Sequence, residues 1–327
     1  MQVLDSSAAE QDWLSTEQQD ALRERSNLMG LVLVAHAWAL IFLAMALFVL
    51  WPNPLSFLLA LVVIGGRQLG LAILMHDAAH RLLFRNAALN DWAGAWLCGA
   101  PVGANLGRYR PYHLSHHRHT QTEKDPDLAL SAPFPISRQS FWRKVRRDLL
   151  GFTGYQRRRQ QMLAAMGAQG SLALRLRRLL IEEREFLLFN AALFGLLALL
   201  GAWWLYPTLW LLPLLTWYQL ISRIRNIAEH AVVTDNMDPL RNTRTTLTNL
   251  WMRLVLAPYW VNYHLEHHLL VYTPCWKLPR AHRMLQGKGL GAQMELTQGY
   301  CEVIRKATSN SVDSTGRDRG AGAPAHI

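Results

Sequence analysis

Cysteine is scarce in this chain. Cys98, Cys275 and Cys301 are the only three in 327 residues, and no two stand at a metal-binding or redox spacing. That argues against a disulfide framework and a cysteine-ligated iron–sulfur cluster, and points to a reducing compartment. No His-Pro-Gly-Gly segment for haem occurs either. Acidic residues are outnumbered, 23 Asp and Glu against 34 Lys and Arg, for a formal net charge of +11. The first 27 residues carry Asp5, Glu10, Asp12, Glu17 and Asp20, unlike the basic start of a signal peptide, and the apolar stretch that follows is too long for a signal core. No internal repeat appears beyond two pairs of apolar segments.

What the chain does have is histidine. Nine of its thirteen histidines fall in four places: His76 and His80; His113, His116 and His117; His230; and His264, His267 and His268. Residues three and four apart share a helix face, so each box offers two or three imidazoles on one stripe. Neutral imidazole is a common ligand for iron, copper and zinc. Any one histidine alone reads most simply as a packed or surface residue, but three boxes of the same spacing do not. Nine imidazoles exceed what one metal ion can use, and the simplest reading is a two-metal site.

The apolar runs give the setting. Residues 28–51 and 54–75 are long enough to span hydrocarbon, and 186–206 and 208–221 form a second pair around Pro207. The expected fold is an all-α membrane protein with four transmembrane helices in two hairpins and a cytoplasmic helical cap carrying the histidine boxes. Residues 88–106 are apolar but contain Asn90, Asp91, Pro101 and Asn105, and read as a membrane-surface or re-entrant segment. The short connections at 51–54 and 206–207 lack Lys and Arg, whereas 108–184 is crowded with Arg. The bias of basic residues toward the cytoplasm then puts that segment and both termini inside, with every histidine box on the same face. This topology explains the charge better than nucleic-acid binding does, and a nucleic-acid partner is not expected. Residues 136–184, with apolar and Arg residues interleaved, read as amphipathic helices on an anionic bilayer. Residues 1–27 read as a cytoplasmic segment, 28–307 as the membrane domain, and 308–327 as a disordered tail.

With these residues in hand, the chain resembles the membrane fatty acid desaturase superfamily, which also holds hydroxylases and carotenoid ketolases. The resemblance runs from about Gly65 to about Leu285. It includes Gly66-Arg67-Gln68 before the first box, Thr120 and Asp125-Pro126-Asp127 after the second, Arg225 to His230, Asn262-Tyr263 before the last box and Leu278 to His282 after it. It implies a non-haem diiron centre ligated by the nine histidines, O2 as co-substrate and a lipid or acyl chain as substrate. With no electron carrier attached, it implies an external donor of the ferredoxin, rubredoxin or cytochrome b5 type. It also implies an integral, multi-pass protein, in the inner (plasma) membrane if the source is bacterial. The expected activity is O2-dependent desaturation of a membrane lipid acyl chain. The alternative is a hydroxylase or ketolase acting on a carotenoid or other hydrophobic chain, because the two chemistries share the first hydrogen abstraction.

Acidic neighbours of the boxes, Asp77, Asp127, Glu229 and Glu266, are expected to accept the second ring N–H of ligand imidazoles and set their tautomers; their bland reading is interfacial charge or helix capping. His36, His119 and His282 are not expected to be ligands. Arg67, costly in lipid unless paired, is expected to line a substrate tunnel, pair with a carboxylate or join helices. Trp51, Trp203, Trp204, Tyr206, Trp210 and Trp217 read as interfacial belts. A metal transporter would carry its ligands at mid-membrane, and a zinc hydrolase needs only three ligands and a base; neither fits the pattern as well.

Overall fold

The computed structural model describes residues 13–309. The tail expected at 308–327 and the first twelve residues therefore lie almost wholly outside the described part. The chain is mostly helical, opening with a short α1 (Thr16–Arg23) capped by Ser15.

α2 (Asn27–Leu50) and α3 (Pro54–Ala79) form an antiparallel hairpin. Ser26 caps α2 by accepting the Met29 N–H, and Asn53 caps α3 by accepting from Leu55 and Ser56, with Pro54 in the first turn. A proline there costs no hydrogen bond. Among the described residues these are the two helices long and apolar enough to cross a membrane. α2 leaves Leu28, Leu31, Leu43 and Leu50 exposed, and α3 leaves Leu55, Leu58 and Leu59 exposed near its start. The inner half of α3 is almost wholly buried. Gly30 lets the hairpin base close, since a Cβ there would lie 2.3 Å from the Leu83 carbonyl oxygen.

α4 (Ala87–Ala93), a π-helical stretch over Gly94–Gly99 and α5 (Ala100–Val102) form one winding path across α3. Buried Asn90 holds it there, accepting from the Leu83 and Phe84 N–H groups and donating to the Ala78 carbonyl. α6 (Leu106–His119) then carries the second box, and the short α7 (Leu128–Ser131) follows. α8 (Arg138–Leu149), α9 (Phe152–Met166) and α10 (Leu172–Glu182) are surface helices, and α10 buries no residue. Exposed Trp142, Leu150, Phe152, Leu172, Leu180 and Ile181 give them an apolar outer face.

The second apolar pair is less regular than its hydropathy predicts. α11 (Arg184–Leu199) has 16 residues, about 24 Å of helix, and ends before Gly201, whose φ is +71°. A π-helical turn (Tyr206–Leu211), α12 (Leu212–Leu215) and α13 (Trp217–His230) follow. Pro207 and Pro213 each remove an N–H donor from this path, and Thr216 leaves helical geometry at φ −118°, ψ −86°. Trp210 is wholly buried, its indole donating to Asn190 and its carbonyl accepting from Gln68. It belongs to the core and not to an interfacial belt.

Most of the remainder gathers around the end of α3 that carries the first box, and α14 packs farther along it. β1 (Thr245–Leu247), α14 (Leu250–Val255), α15 (His264–Leu269), α16 (Leu278–Gly287), β2 (Leu296–Gln298) and α17 (Tyr300–Ala307) complete the described chain. β1 and β2 pair in parallel, Thr246 opposite Thr297, a small sheet that an all-α reading does not anticipate. A second apolar cluster, including Leu14, Leu22, Leu265 and Leu285, packs α1 beneath α15 and α16.

Candidate metal centre

The nine histidines singled out in the sequence converge into two groups. His76, His80, His113, His117 and His267 form one; His116, His230, His264 and His268 form the other. Within each group the candidate ligand atoms lie within 4.8 Å of one another. His36, His119 and His282 stand outside both.

Helical rotation separates the members of a box, and the docking of α6 and α15 decides which group each one joins. On α6, His113 and His117 are one turn apart and face the first group, while His116 is rotated toward the second. α15 mirrors this, with His264 and His268 in the second group and His267 in the first. Each of these boxes therefore serves both groups. The His117 and His268 rings stack with centroids 4.1 Å apart, joining the two. α3 delivers His76 from its last turn and His80 from its C-cap, and α13 delivers His230 from its final residue.

The donor set suits metal ions. Nε2 of His117 faces Nε2 of His113 at 2.9 Å and Nε2 of His267 at 2.9 Å. Nε2 of His264 faces Nε2 of His230 at 2.8 Å and Nε2 of His268 at 3.0 Å. A nitrogen with two such neighbours cannot satisfy both as a lone hydrogen-bond partner, whereas lone pairs converging on a shared cation can. Both ring nitrogens of His76 and Nε2 of His80 are buried with no hydrogen-bond partner, a costly arrangement unless something else engages them. Burial first, then neighbouring imidazoles, push the ring pKa of His113, His117, His264, His267 and His268 well below the ordinary value. For His230 the same burial acts with His116 and Arg225. Burial and Arg110 push His80 down to about 3. These rings are held neutral, the form that ligates.

The supporting groups differ from those the sequence pattern suggests. It assigns a carboxylate role to Asp127, but Asp125 makes the bond: its Oδ1 lies 2.7 Å from Nδ1 of His116. Asp127 Oδ2 stays at 3.8 Å from that atom, and its Oδ1 accepts from the Tyr112 hydroxyl. The cause is the turn after α6, where Asp125 also accepts the Gln121 and Asp127 N–H groups and so faces inward. Burial works against ionisation of Asp125, but His116 and these N–H groups prevail and lower its pKa. Glu266 points away from the ligand candidates; it accepts from Thr245 and lies 2.5 Å from Nδ1 of His282. Asp77 accepts the Cys275 N–H at 2.9 Å and stands 4.0 Å from Nδ1 of His76. Glu229 is gripped by Arg225 through two 2.6 Å bonds, with Nδ1 of His264 3.6 Å away.

Several positioning groups escape a sequence reading. Thr120 Oγ1 lies 3.3 Å from Nδ1 of His268 while donating to the His116 carbonyl. Tyr109 stacks on His113 at 5.1 Å. Gln121 donates to the His230 carbonyl. Buried Arg244 caps α13 through the Ala228, Ala231 and Val232 carbonyls and pairs with Glu295. Thr120 and Asp125 lie in the quoted motif after the second box, but their partners are distant in sequence or hidden in a turn.

A family profile described as fatty acid desaturase matches residues 52–298. The chain belongs to this family. The match takes in both α2–α3 connection and all four histidine sites. Among its relatives within the superfamily, a dihydrorhizobitoxine desaturase of Bradyrhizobium elkanii is 28% identical over 271 residues, 79% of this chain and 75% of its own. A β-carotene ketolase of Paracoccus sp. (strain PC1) is 25% identical over 256 residues, 77% of this chain and 87% of its own. A second, from Paracoccus sp. (strain N81106 / MBIC 01143), is 24% identical over 252 residues, 76% and 86% of the two chains. The family makes this chain an oxidoreductase of the desaturase and ketolase type, and a membrane protein by its two long apolar helices.

Proposed function

We propose that the two histidine groups each hold one iron ion and that the protein is an O2-dependent desaturase of a membrane lipid acyl chain. The observation that carries this reading is the pair of buried, imidazole-only groups set at the inner end of a membrane-length helix. His76, His80, His113, His117 and His267 would hold one ion, and His116, His230, His264 and His268 the other. Two ferrous ions in such a site supply the reduction of O2 needed to take hydrogen from an unactivated C–H bond. The chain's own residues keep the imidazoles neutral by burial, fix His116 through Asp125 and His268 through Thr120, and exclude water with Tyr109 and the surrounding apolar core. The fold is read as four spans, the second pair being the interrupted path from α11 to the start of α13, with both termini and the centre cytoplasmic. Electrons come from a separate carrier of the ferredoxin, rubredoxin or cytochrome b5 type, which the basic surface would attract if the carrier is acidic.

A second reading is ketolation or hydroxylation of a carotenoid-like chain, favoured by the long coverage of the two ketolases. Mass spectrometry of lipids from cells with and without the protein, with O2 present or withheld, and in a carotenoid-producing host, separates the two. New acyl unsaturation that requires O2 supports desaturation. A keto or hydroxyl carotenoid with unchanged acyl chains overturns it in favour of the second reading. Zinc in place of iron in the active protein overturns both.

A further inference from the structure

The segment between β1 and the third box makes an excursion that its position in the sequence does not require. It leaves and returns at one neck, where Thr245 bridges Tyr263 in antiparallel fashion. There the Thr246 N–H donates to the Asn262 carbonyl at 3.0 Å, and Asn262 Nδ2 donates back to the Thr246 carbonyl at 3.1 Å. This neck adjoins His264, level with the metal centre. The tip lies elsewhere. A Cβ on Gly66 would stand 3.0 Å from the Val255 carbonyl oxygen and 3.1 Å from that of Leu254, while one on Gly70 would stand 2.7 Å from the Tyr259 ring. The outgoing leg therefore reaches the level of Gly66, and the return leg climbs past Gly70 toward His76. Ten residues of α3 separate Gly66 from His76, about 15 Å, or about half of a hydrocarbon core.

Charge and exposure agree with that depth. Residues 250–260 carry one charged side chain, Arg253, which turns back so that Nη2 meets the Tyr263 hydroxyl at 3.3 Å near the neck. The end of α14 leaves carbonyls open. In water they would be hydrated; here Arg67, 2% exposed, donates to the Leu254 carbonyl and reaches that of Arg253 at 3.5 Å. Backbone at membrane depth has to be satisfied within the protein, and Arg67 does this. The Tyr259 hydroxyl donates to the Leu33 carbonyl of α2 at 3.1 Å, tying the return leg to the hairpin. The outer face of α14 is bare and apolar, with Leu250 76%, Trp251 75% and Met252 44% exposed.

We propose that residues 248–262 form a re-entrant hairpin that enters the bilayer from the side of the metal centre and presents Leu250, Trp251 and Met252 to lipid acyl chains. This rests on α3 being a membrane span, and not on the identity of the metal or the reaction. The test is a nitroxide label in lipid nanodiscs of the full chain, in a Cys301→Ser background, because Cys98 and Cys275 are buried. Labels go at Leu250→Cys, at Leu58→Cys on the exposed face of α3, and at Met237→Cys on an 80% exposed loop. Power saturation then compares relaxation by O2, which partitions into lipid, with that by a water-soluble nickel chelate. The expected result is O2 exceeding nickel several-fold at residues 58 and 250, and the reverse at 237. A label at 250 as open to nickel as that at 237, or shielded from both reagents by protein, overturns the hairpin while residue 58 still reports lipid. Nickel access at 58 overturns the membrane reading beneath it.

Discussion

Asp125 Oδ1 and His116 Nδ1 lie 2.7 Å apart, both side chains buried. The bond fixes the tautomer of His116, leaving Nε2 toward His230 and His268, and it ties the turn after α6 to the second histidine group. A carboxylate behind a ligating imidazole is worth about 10–100-fold in metal affinity or activity. Asp125→Asn is therefore expected to lower iron content and turnover by about that factor. Asp127→Asn, whose amide oxygen still accepts from the Tyr112 hydroxyl, is expected to change both by much less. Equal effects in the two variants would remove the special place given to Asp125.

His267 faces His117 at 2.9 Å and lies in van der Waals reach of His76 and His80. His267→Ala is expected to bring turnover below detection and to deplete iron, because it opens the first group from its centre. His119→Ala, outside both groups, is expected to retain both. Elemental analysis alongside a turnover assay decides it; an active, iron-replete His267→Ala protein rules out the ligand role.

His230 reaches the second group alone, from the last residue of α13. His230→Ala is expected to reduce iron toward one ion per chain and to reduce activity, with His230→Asn or His230→Gln keeping part of each. Full iron and full turnover in His230→Ala would shrink the ligand set to the eight histidines of the three boxes.

Arg244 holds the end of that helix, through three carbonyls and Glu295. Removing one partner of a buried ion pair typically costs about 3–5 kcal/mol. Arg244→Met is expected to lower the denaturation midpoint of the detergent-solubilised protein strongly, and to weaken iron binding through His230. An unchanged midpoint would mean that water replaces the guanidinium at no cost.

Acid is expected to destabilise the chelator-stripped protein. In the unfolded chain these imidazoles take up protons below about pH 6.5. In the folded chain His80 does so near pH 3, and His113, His117, His230, His264, His267 and His268 well below the ordinary value. The unfolded state thus binds more protons between those limits. Stability is complete above about pH 6.5 and falls as the pH drops toward the folded values. Melting midpoints read from pH 8 to pH 5 check the sign, and a flat or rising midpoint toward acid contradicts it.

Residue type and spacing alone pointed to the eight histidines of the three boxes, because i, i+3 and i+4 positions share a helix face and because hydropathy sets α3 so that its last turn carries the first box; the lone His230 was reached through topology and the family resemblance. They also determined the first hairpin, whose capping residues and apolar length are local properties. They did not determine how the imidazoles divide. The rotation of α6 against α15 sends His116 to one group and His117 to the other, and that angle depends on packing. Nor did they choose Asp125 over Asp127, since two carboxylates two residues apart differ only through the turn that aims one inward. Glu266 looked like a partner for its neighbours in sequence, yet Thr245 and His282 claim it from other elements. Arg67 read as tunnel lining, a carboxylate partner or helix glue, and only docking of residues 250–260 showed that it satisfies the Leu254 and Arg253 carbonyls. Local sequence carries periodicity, capping and polarity, whereas partners more than a helical turn apart are chosen by the tertiary packing that brings them within hydrogen-bonding distance.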